Sequence, residues 1–133
     1  MKYLIDTSFG VAFPRQRPGA AEAMAEVAAG GVAVSWATVA ELYEGAYRSA
    51  RAPENLAMLD TLLGVAHVLL PDLETARIFG REAARLAQTG ARIPDMDLII
   101  GATAMRHGLT LATTDLRHFR GLPDLEVREI PAE

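Results

Sequence analysis

The sequence predicts an α/β fold in three layers, with a central parallel sheet of about five strands between helices. Short apolar runs alternate with longer segments in which apolar residues recur every three or four positions. This alternation is typical of buried strands separated by amphipathic helices, and strands in that arrangement favour parallel pairing. The chain has 133 residues, so residues 1–133 are predicted to form one domain.

The predicted strands are short apolar runs spread over the whole chain. They lie at 3–5, 32–34, 65–70, 109–112 and 125–130. Asp6 follows the first run, and Pro71 ends the third because proline has no N–H to donate to a sheet. Right-handed crossovers limit the strand orders, but one sequence does not select among them.

Helical patterns occupy the intervals between these strands. They lie at 7–13, 20–29, 36–46, 54–63, 73–89 and 95–107. Ser35, Asp72 and Asp95 are the predicted N-cap residues. A side-chain oxygen at that position accepts a hydrogen bond from an N–H group that the first helical turn leaves unpaired.

The composition excludes several classes of protein. The chain has no cysteine, which rules out disulfides, a thiolate zinc site and a cysteine nucleophile. Thirteen basic residues against seventeen acidic ones give a net charge of −4, which argues against nucleic-acid binding through an overall positive charge. Because no apolar run has the length of a signal peptide or a membrane span, we expect a cytoplasmic protein without a membrane anchor.

Four acidic residues are candidates for a shared site. Asp6 ends the first strand and Asp115 follows the fourth, whereas Glu41 and Asp97 lie near the starts of helices that follow strands. Ligands of open parallel sheets bind outside the carboxyl ends of the strands. Four converging carboxylates would repel one another unless a cation compensates, and oxygen ligands suit Mg²⁺ or Mn²⁺ rather than zinc.

These acids also have purely structural interpretations. Asp95 and Asp97 begin a helix, where the unpaired N–H groups and the helix dipole favour acids. Glu44, three residues from Glu41, is interpreted as the solvated member of that pair. Asp6 has the weakest structural interpretation, since an Asp that closes a buried strand is costly unless it is paired or metal-bound.

At these positions the sequence resembles the PIN-domain nucleases, most closely the VapC-type toxins of bacterial toxin–antitoxin modules. The blocks that carry the resemblance stand in family order: YLIDTS at 3–8, SWATVAEL at 35–42, DMDLIIGATA at 95–104 and TTDLRHF at 113–119. One departure is Gly101, where the family more commonly has Ala. It should permit closer packing of its helix against the sheet.

The resemblance implies a Mg²⁺-dependent endoribonuclease that is the toxin of a type II toxin–antitoxin system. Mn²⁺ is the implied alternative metal ion. The implied metal ligands are Asp6, Asp97 and Asp115. Asp115 or Glu41 is expected to align the attacking water, and Ser8 and Thr114 to orient a carboxylate or a phosphate. The implied partners are a VapB-like antitoxin, an RNA substrate and a second copy of the chain.

Other functions remain open at this stage. One is a catalytically silent PIN-like module that binds RNA or protein. Another is a phosphohydrolase with Asp6 as covalent nucleophile, but Ser8 stands where haloacid-dehalogenase enzymes have a second Asp. Four arginines near the expected sheet edge are either phosphate contacts, or solvated residues or partners of a nearby acid: Arg15, Arg17, Arg117 and Arg120.

Overall fold

The structure, a computed structural model, describes residues 1–8 and 20–131 and contains a five-stranded sheet. The strands are Tyr3–Ile5 (β1), Val32–Ser35 (β2), Ala66–Leu69 (β3), Thr110–Thr113 (β4) and Val127–Glu129 (β5). Their order across the sheet is β3-β2-β1-β4-β5, and every neighbouring pair is parallel. The predicted α/β class and parallel sheet are confirmed.

Helices connect these strands. They are Ala20–Ala28 (α1), Trp36–Arg48 (α2), Ala52–Leu63 (α3), Leu73–Thr89 (α4) and Asp95–His107 (α5), with a 3₁₀ helix at Leu116–Phe119. No helix in the described part of the chain combines the length and the apolar character that crossing a membrane requires.

The sheet lies between two apolar cores, because successive strand residues point to opposite faces. Leu4, at the centre of β1, packs in one core with Leu98 of α5 and Leu86 of α4. Its neighbours in β1, Tyr3 and Ile5, pack in the other core with Val27 of α1 and with Ile130, which follows β5. Leu4 and Ile5 have no exposed surface. The predicted three layers follow from this division.

The winding of the sheet reverses beside β1. The chain runs from β1 to β2 and β3 on one side, and then places β4 on the other side of β1. Leu4 pairs with Ala33 in one direction and with Leu111 in the other. A crevice at such a reversal is where open parallel sheets bind ligands. The carboxyl ends of β1 and β4 therefore mark the expected site.

Two of the three predicted N-caps are confirmed. The hydroxyl of Ser35 accepts from the backbone N–H of Ala37, and Asp72 forms a capping box with Thr75. The prediction for Asp95 is wrong by one residue, because Pro94 is the N-cap of α5 and Asp95 is the first helical residue. Proline suits that position since the cap needs only its carbonyl, which accepts from the N–H of Leu98.

Several predicted boundaries differ from the structure by one or two residues. The third strand was expected at 65–70 but spans Ala66–Leu69, and the fifth was expected at 125–130 but spans Val127–Glu129. Thr7 and Ser8 are helical, while the rest of the helix predicted at 7–13 lies outside the described residues, as do Arg15 and Arg17.

Gly101 brings α5 close to the segment that follows the 3₁₀ helix. A Cβ atom on Gly101 would lie 2.7 Å from Leu122 Cδ1 and 3.7 Å from Leu125 Cδ2. The prediction of closer packing against the sheet is wrong in its partner, because the atoms nearest to Gly101 belong to this segment and not to a strand. The absence of a side chain at Gly101 therefore helps to fix the chain just after Asp115.

Candidate active site

Asp6 closes β1 and has 4% of its surface exposed. Its backbone N–H donates to the carbonyl of Ala112 at 3.1 Å, which extends the pairing of β1 with β4 by one residue. Ser8 Oγ donates to Asp6 Oδ1 at 2.7 Å, and Thr113 Oγ1 donates to Asp6 Oδ2 at 2.6 Å. Hydroxyl groups therefore fix the orientation of both carboxylate oxygens.

Glu41 lies in the second turn of α2 and is half-buried. Thr7 Oγ1 donates a hydrogen bond of 2.5 Å to Glu41 Oε1. Because Thr7 follows Asp6 directly, this contact ties the glutamate to the end of β1. Glu44, by contrast, is exposed and pairs with Arg48 at 3.2 Å. The interpretation of Glu44 as the solvated residue is confirmed.

Asp97 lies in the first turn of α5, with 17% of its side chain exposed. Burial raises the pKa of Asp97 above its usual value. His118 opposes that rise in pKa, whereas the negative charges of Glu41, Asp6 and Asp115 add to it. Because Coulomb interactions weaken with distance, these contributions show that the four predicted acids share one region.

Asp115 caps the 3₁₀ helix and is held by Arg117. Arg117 Nε donates to Asp115 Oδ1 and Arg117 Nη2 to Asp115 Oδ2, each at 3.0 Å. The side-chain hydrogen bonding of Arg117 is the main reason why the pKa of Asp115 is lowered. Asp97 and Asp115 therefore have pKa values displaced in opposite directions. In one region, therefore, the charged form of Asp97 is destabilised and the charged form of Asp115 is stabilised.

His118 stands between these two carboxylates. Its Nδ1 lies 3.3 Å from Asp97 Oδ2, and its Nε2 lies 3.4 Å from Asp115 Oδ2. Half of the imidazole, 54% of the side chain, is exposed. His118 was not among the residues predicted for the site. His118 could have been predicted from its position three residues after Asp115, because residues three apart lie on the same face of a 3₁₀ helix.

Thr113 takes the role that was predicted for Thr114. The hydroxyl of Thr113 is fully buried and donates to Asp6, and it also accepts from the backbone N–H of Asp115 at 3.0 Å. Thr114 contributes its backbone N–H, which donates to Ser8 Oγ at 3.2 Å. The two residues differ because Thr113 is the last residue of β4, whereas Thr114 lies in the bend that follows it. Ser8 orients Asp6 as predicted.

The donor set fits a hard divalent cation, but its present arrangement is not a finished coordination site. Carboxylate oxygens are the ligands that Mg²⁺ and Mn²⁺ prefer. Burial is the main cause of the raised pKa of Asp97, and the negative charges of Glu41, Asp6 and Asp115 add to it. Among the residues that the structure describes, no three His, Asp or Glu side chains are placed to hold an ion. The oxygens of Asp115 instead face Arg117.

Known proteins share this architecture. The family model of the PIN domain matches residues 3–124. Ribonuclease VapC19 of Mycobacterium tuberculosis is 36% identical over 92% of this chain and 96% of its own length. Ribonuclease VapC2 of Haemophilus influenzae is 34% identical over 90% of each chain. A DNA-bound VapBC structure from Salmonella typhimurium has a TM-score of 0.87, with 26% identity over 97% of this chain and 98% of that one.

The fold and the family model together define a PIN domain. The chain belongs to the PIN-domain family, and the curated relatives that it matches within that family are VapC ribonucleases. The resemblance predicted from the four sequence blocks is confirmed.

Proposed function

We propose that this chain is a Mg²⁺-dependent endoribonuclease and the toxin of a type II toxin–antitoxin system. The observation that carries the proposal is that short contacts bring the acids together: Thr113 Oγ1 donates to Asp6 and accepts from the backbone N–H of Asp115, and His118 lies 3.3 Å from Asp97 and 3.4 Å from Asp115. Burial raises the pKa of Asp97, and the charges of Glu41, Asp6 and Asp115 raise it further. Three acids from separate parts of the sequence thus act on the carboxylate of a fourth. Such mutual repulsion is unfavourable for stability alone and is typical of a site that binds a cation. The ribonuclease names of the relatives support RNA as the substrate.

Asp6 and Asp97 are the residues that would hold the ion directly, with Asp115 as a further ligand. Bound there, Mg²⁺ would lower the pKa of a water molecule and neutralise charge on the phosphate. Ser8 and Thr113 keep the carboxylate of Asp6 in one orientation by donating to both of its oxygens. A preoriented carboxylate loses less conformational freedom when it binds a ligand.

Glu41 is the proposed group that aligns or deprotonates the attacking water, with Asp115 as the alternative. Thr7 holds Glu41 Oε1 and so fixes the plane in which the carboxylate presents its other oxygen. Because water is the proposed nucleophile, the products should carry a 5′-phosphate and a 3′-hydroxyl. Attack by the ribose 2′-hydroxyl would leave a cyclic phosphate instead.

A VapB-like antitoxin is the proposed protein partner. The solved relative from Salmonella typhimurium is a VapBC assembly, which supports an antitoxin for this chain as well. A homodimer and an RNA substrate complete the proposed set of partners. We infer a cytoplasmic protein, in keeping with a proposed RNA substrate.

One observation favours a second candidate, a PIN-like module that binds RNA or protein without cleaving it. Both oxygens of Asp115 are engaged by Arg117, and the acids do not form a finished metal site among the described residues. Titration of the protein with Mg²⁺ in a calorimeter separates the two functions. Saturable binding that is lost in Asp97→Asn supports the nuclease, whereas no binding supports the silent module.

The direct test is cleavage of purified transfer and ribosomal RNA with Mg²⁺, with Mn²⁺ and with EDTA. We expect cleavage only with a divalent ion, and loss of cleavage in Asp6→Asn, Asp97→Asn and Glu41→Gln. Glu44→Gln is the matched control, since Glu44 is an exposed glutamate on the same helix. Undiminished cleavage by Asp97→Asn would contradict the proposal, as would products that end in a cyclic phosphate.

A further inference from the structure

A cleft of about 350 Å³ opens beside Asp97. Its walls come from the loop between α4 and α5, which includes Arg92 and Ile93, and from the turn around the 3₁₀ helix, which includes His118 and Gly121. The volume lies at the lower end of the range for small-ligand sites. Because Asp97 and His118 belong to both features, the cleft and the acidic site are continuous.

The floor of the cleft is apolar and held in place. Leu86 and Ile93 line it and expose 4% and 9% of their surfaces. A Cβ atom on Gly121 would lie 3.1 Å from Leu86 Cδ2 and 3.3 Å from Ile93 Cδ1, so Gly121 packs closely on this floor and a side chain there would push these two residues aside. Arg85 Nη2 donates to the carbonyl of Gly121 at 2.6 Å and fixes the turn from the outside. The cleft is therefore preformed.

The rim of the cleft carries positive charge next to an acidic site. Arg117 lines it but is bound to both oxygens of Asp115. Arg92 also lines it, is exposed, and makes no ion pair or hydrogen bond with any residue that the structure describes. A guanidinium in that state is available to an external anion, and phosphate oxygens suit its planar donors.

We propose that this cleft binds one nucleotide of the RNA strand next to the bond that is cleaved. The base lies over the apolar floor beside the imidazole of His118, and Arg92 contacts a phosphate. Single-stranded RNA is commonly recognised in this way, through unstacked bases that pack on aromatic or guanidinium planes. The inference rests on the proposed function, and it names the part of the surface that positions the substrate.

The test is titration of the full ¹⁵N-labelled chain in EDTA, followed by NMR, with the four nucleoside 5′-monophosphates. Ribose 5-phosphate and inorganic phosphate serve as the ligands without a base. We expect saturable shifts at the backbone amides of 91–93 and 121, and tighter binding of at least one nucleotide than of ribose 5-phosphate. Equal binding of nucleotides and ribose 5-phosphate would overturn the inference, and so would shifts confined to other parts of the chain.

Two variants assign the phosphate contact. Arg92→Ala should weaken nucleotide binding about tenfold, which is the usual effect of losing a hydrogen bond to a charged group. Arg51→Ala is the control, since Arg51 is an exposed arginine that does not line the cleft. Unchanged binding by Arg92→Ala would refute the assigned contact.

The cleavage assay keeps this inference separate from the proposed function. Mg²⁺-dependent cleavage without nucleotide binding in the cleft would support the proposed nuclease and refute the proposed subsite. Nucleotide binding without cleavage would contradict the nuclease and with it the position of the cleft beside a cleaved bond, and would leave only a nucleotide-binding cleft.

Discussion

Thr113 Oγ1 lies 2.6 Å from Asp6 Oδ2 and joins the carboxyl ends of the neighbouring strands β4 and β1. The same hydroxyl accepts from the backbone N–H of Asp115 and lies 3.3 Å from Ser8 Oγ. The buried Thr113 Oγ1 thus contacts both Asp6, which follows β1, and Asp115, which follows β4. The relative position of those acids depends on a side chain that has no exposed surface.

Thr113→Val should lower the cleavage rate by roughly 10- to 100-fold, the usual range for residues that orient metal ligands. Valine keeps the shape of threonine but cannot donate to Asp6. Thr113→Ser should retain most of the activity, because the hydroxyl remains. Thr114→Val is the matched control, since the contact of Thr114 with Ser8 uses its backbone N–H. Initial rates for the variants check this, and equal losses at 113 and 114 would contradict it.

Asp97→Asn should raise the melting temperature at neutral pH while it abolishes cleavage. The folded-state pKa of Asp97 lies above the unfolded value of 3.8, so the charged carboxylate costs stability. That cost develops as the pH rises from 3.8 through the raised pKa, and it is absent in more acidic solution. Melting temperatures of the native chain and of Asp97→Asn, measured across this pH range, test whether the charge of Asp97 lowers stability.

Asp95→Asn is the control for a general effect of charge on α5, because Asp95 is an exposed residue in the same helical turn. A variant at 97 that is less stable than the native chain at neutral pH would show that the charge of Asp97 is compensated within the protein.

His118→Ala should raise the pKa of Asp97 further and also raise that of Asp115. His118 lowers both pKa values through its charge, so its removal takes away that stabilisation of the two carboxylates. The ¹³C shifts of the carboxyl carbons, followed as a function of pH, report both values. His107→Ala, at the exposed end of α5, should leave them unchanged. No change in His118→Ala would show that the contacts in the structure carry no electrostatic coupling.

Asp72→Ala should lower the melting temperature. Hydrogen bonds from the backbone and the side chain of Thr75, with a further contribution from Arg106, lower the pKa of Asp72 to about 2. Because this folded-state pKa is below the unfolded value of 3.8, the stabilisation is complete above 3.8 and is lost as the pH falls towards about 2.

Asp72→Asn separates the two roles of this residue. Asparagine can still cap α4 but loses the charged contact with Arg106, whose Nε lies 3.1 Å from Asp72 Oδ2. We therefore expect a smaller loss of melting temperature than in Asp72→Ala. Equal losses in the two variants would assign the stabilisation to the ion pair alone.

The element types were predictable because they depend on local chemistry. The apolar runs at β1 and β2 are too short for helices and contain residues buried on both faces, which is the pattern of a parallel sheet. Ser35 and Asp72 marked helix starts through side-chain oxygens whose partners lie two or three residues away. Asp95 was misassigned because Pro94 offers the same cap with only its carbonyl.

The acids of the site were predictable as members of sequence blocks, but their contacts were not. His118 enters the site because the 3₁₀ helix turns its ring back towards α5, where Asp97 lies. Arg92 and Gly121 border one cleft although 29 positions separate them in the sequence. Contacts of this kind depend on how helices pack on the sheet, which no local pattern encodes.

The sequence alone determined the α/β class and the parallel pairing, and it made Asp6, Glu41, Asp97 and Asp115 the candidate site residues, since periodicity and short motifs are local properties of the chain. The tertiary structure decided that Thr113 and not Thr114 holds Asp6, that His118 lies between two carboxylates, and that Arg117 engages Asp115. The physical reason is that strand order and helix packing choose which side chains meet, and both are set by burial over the whole chain.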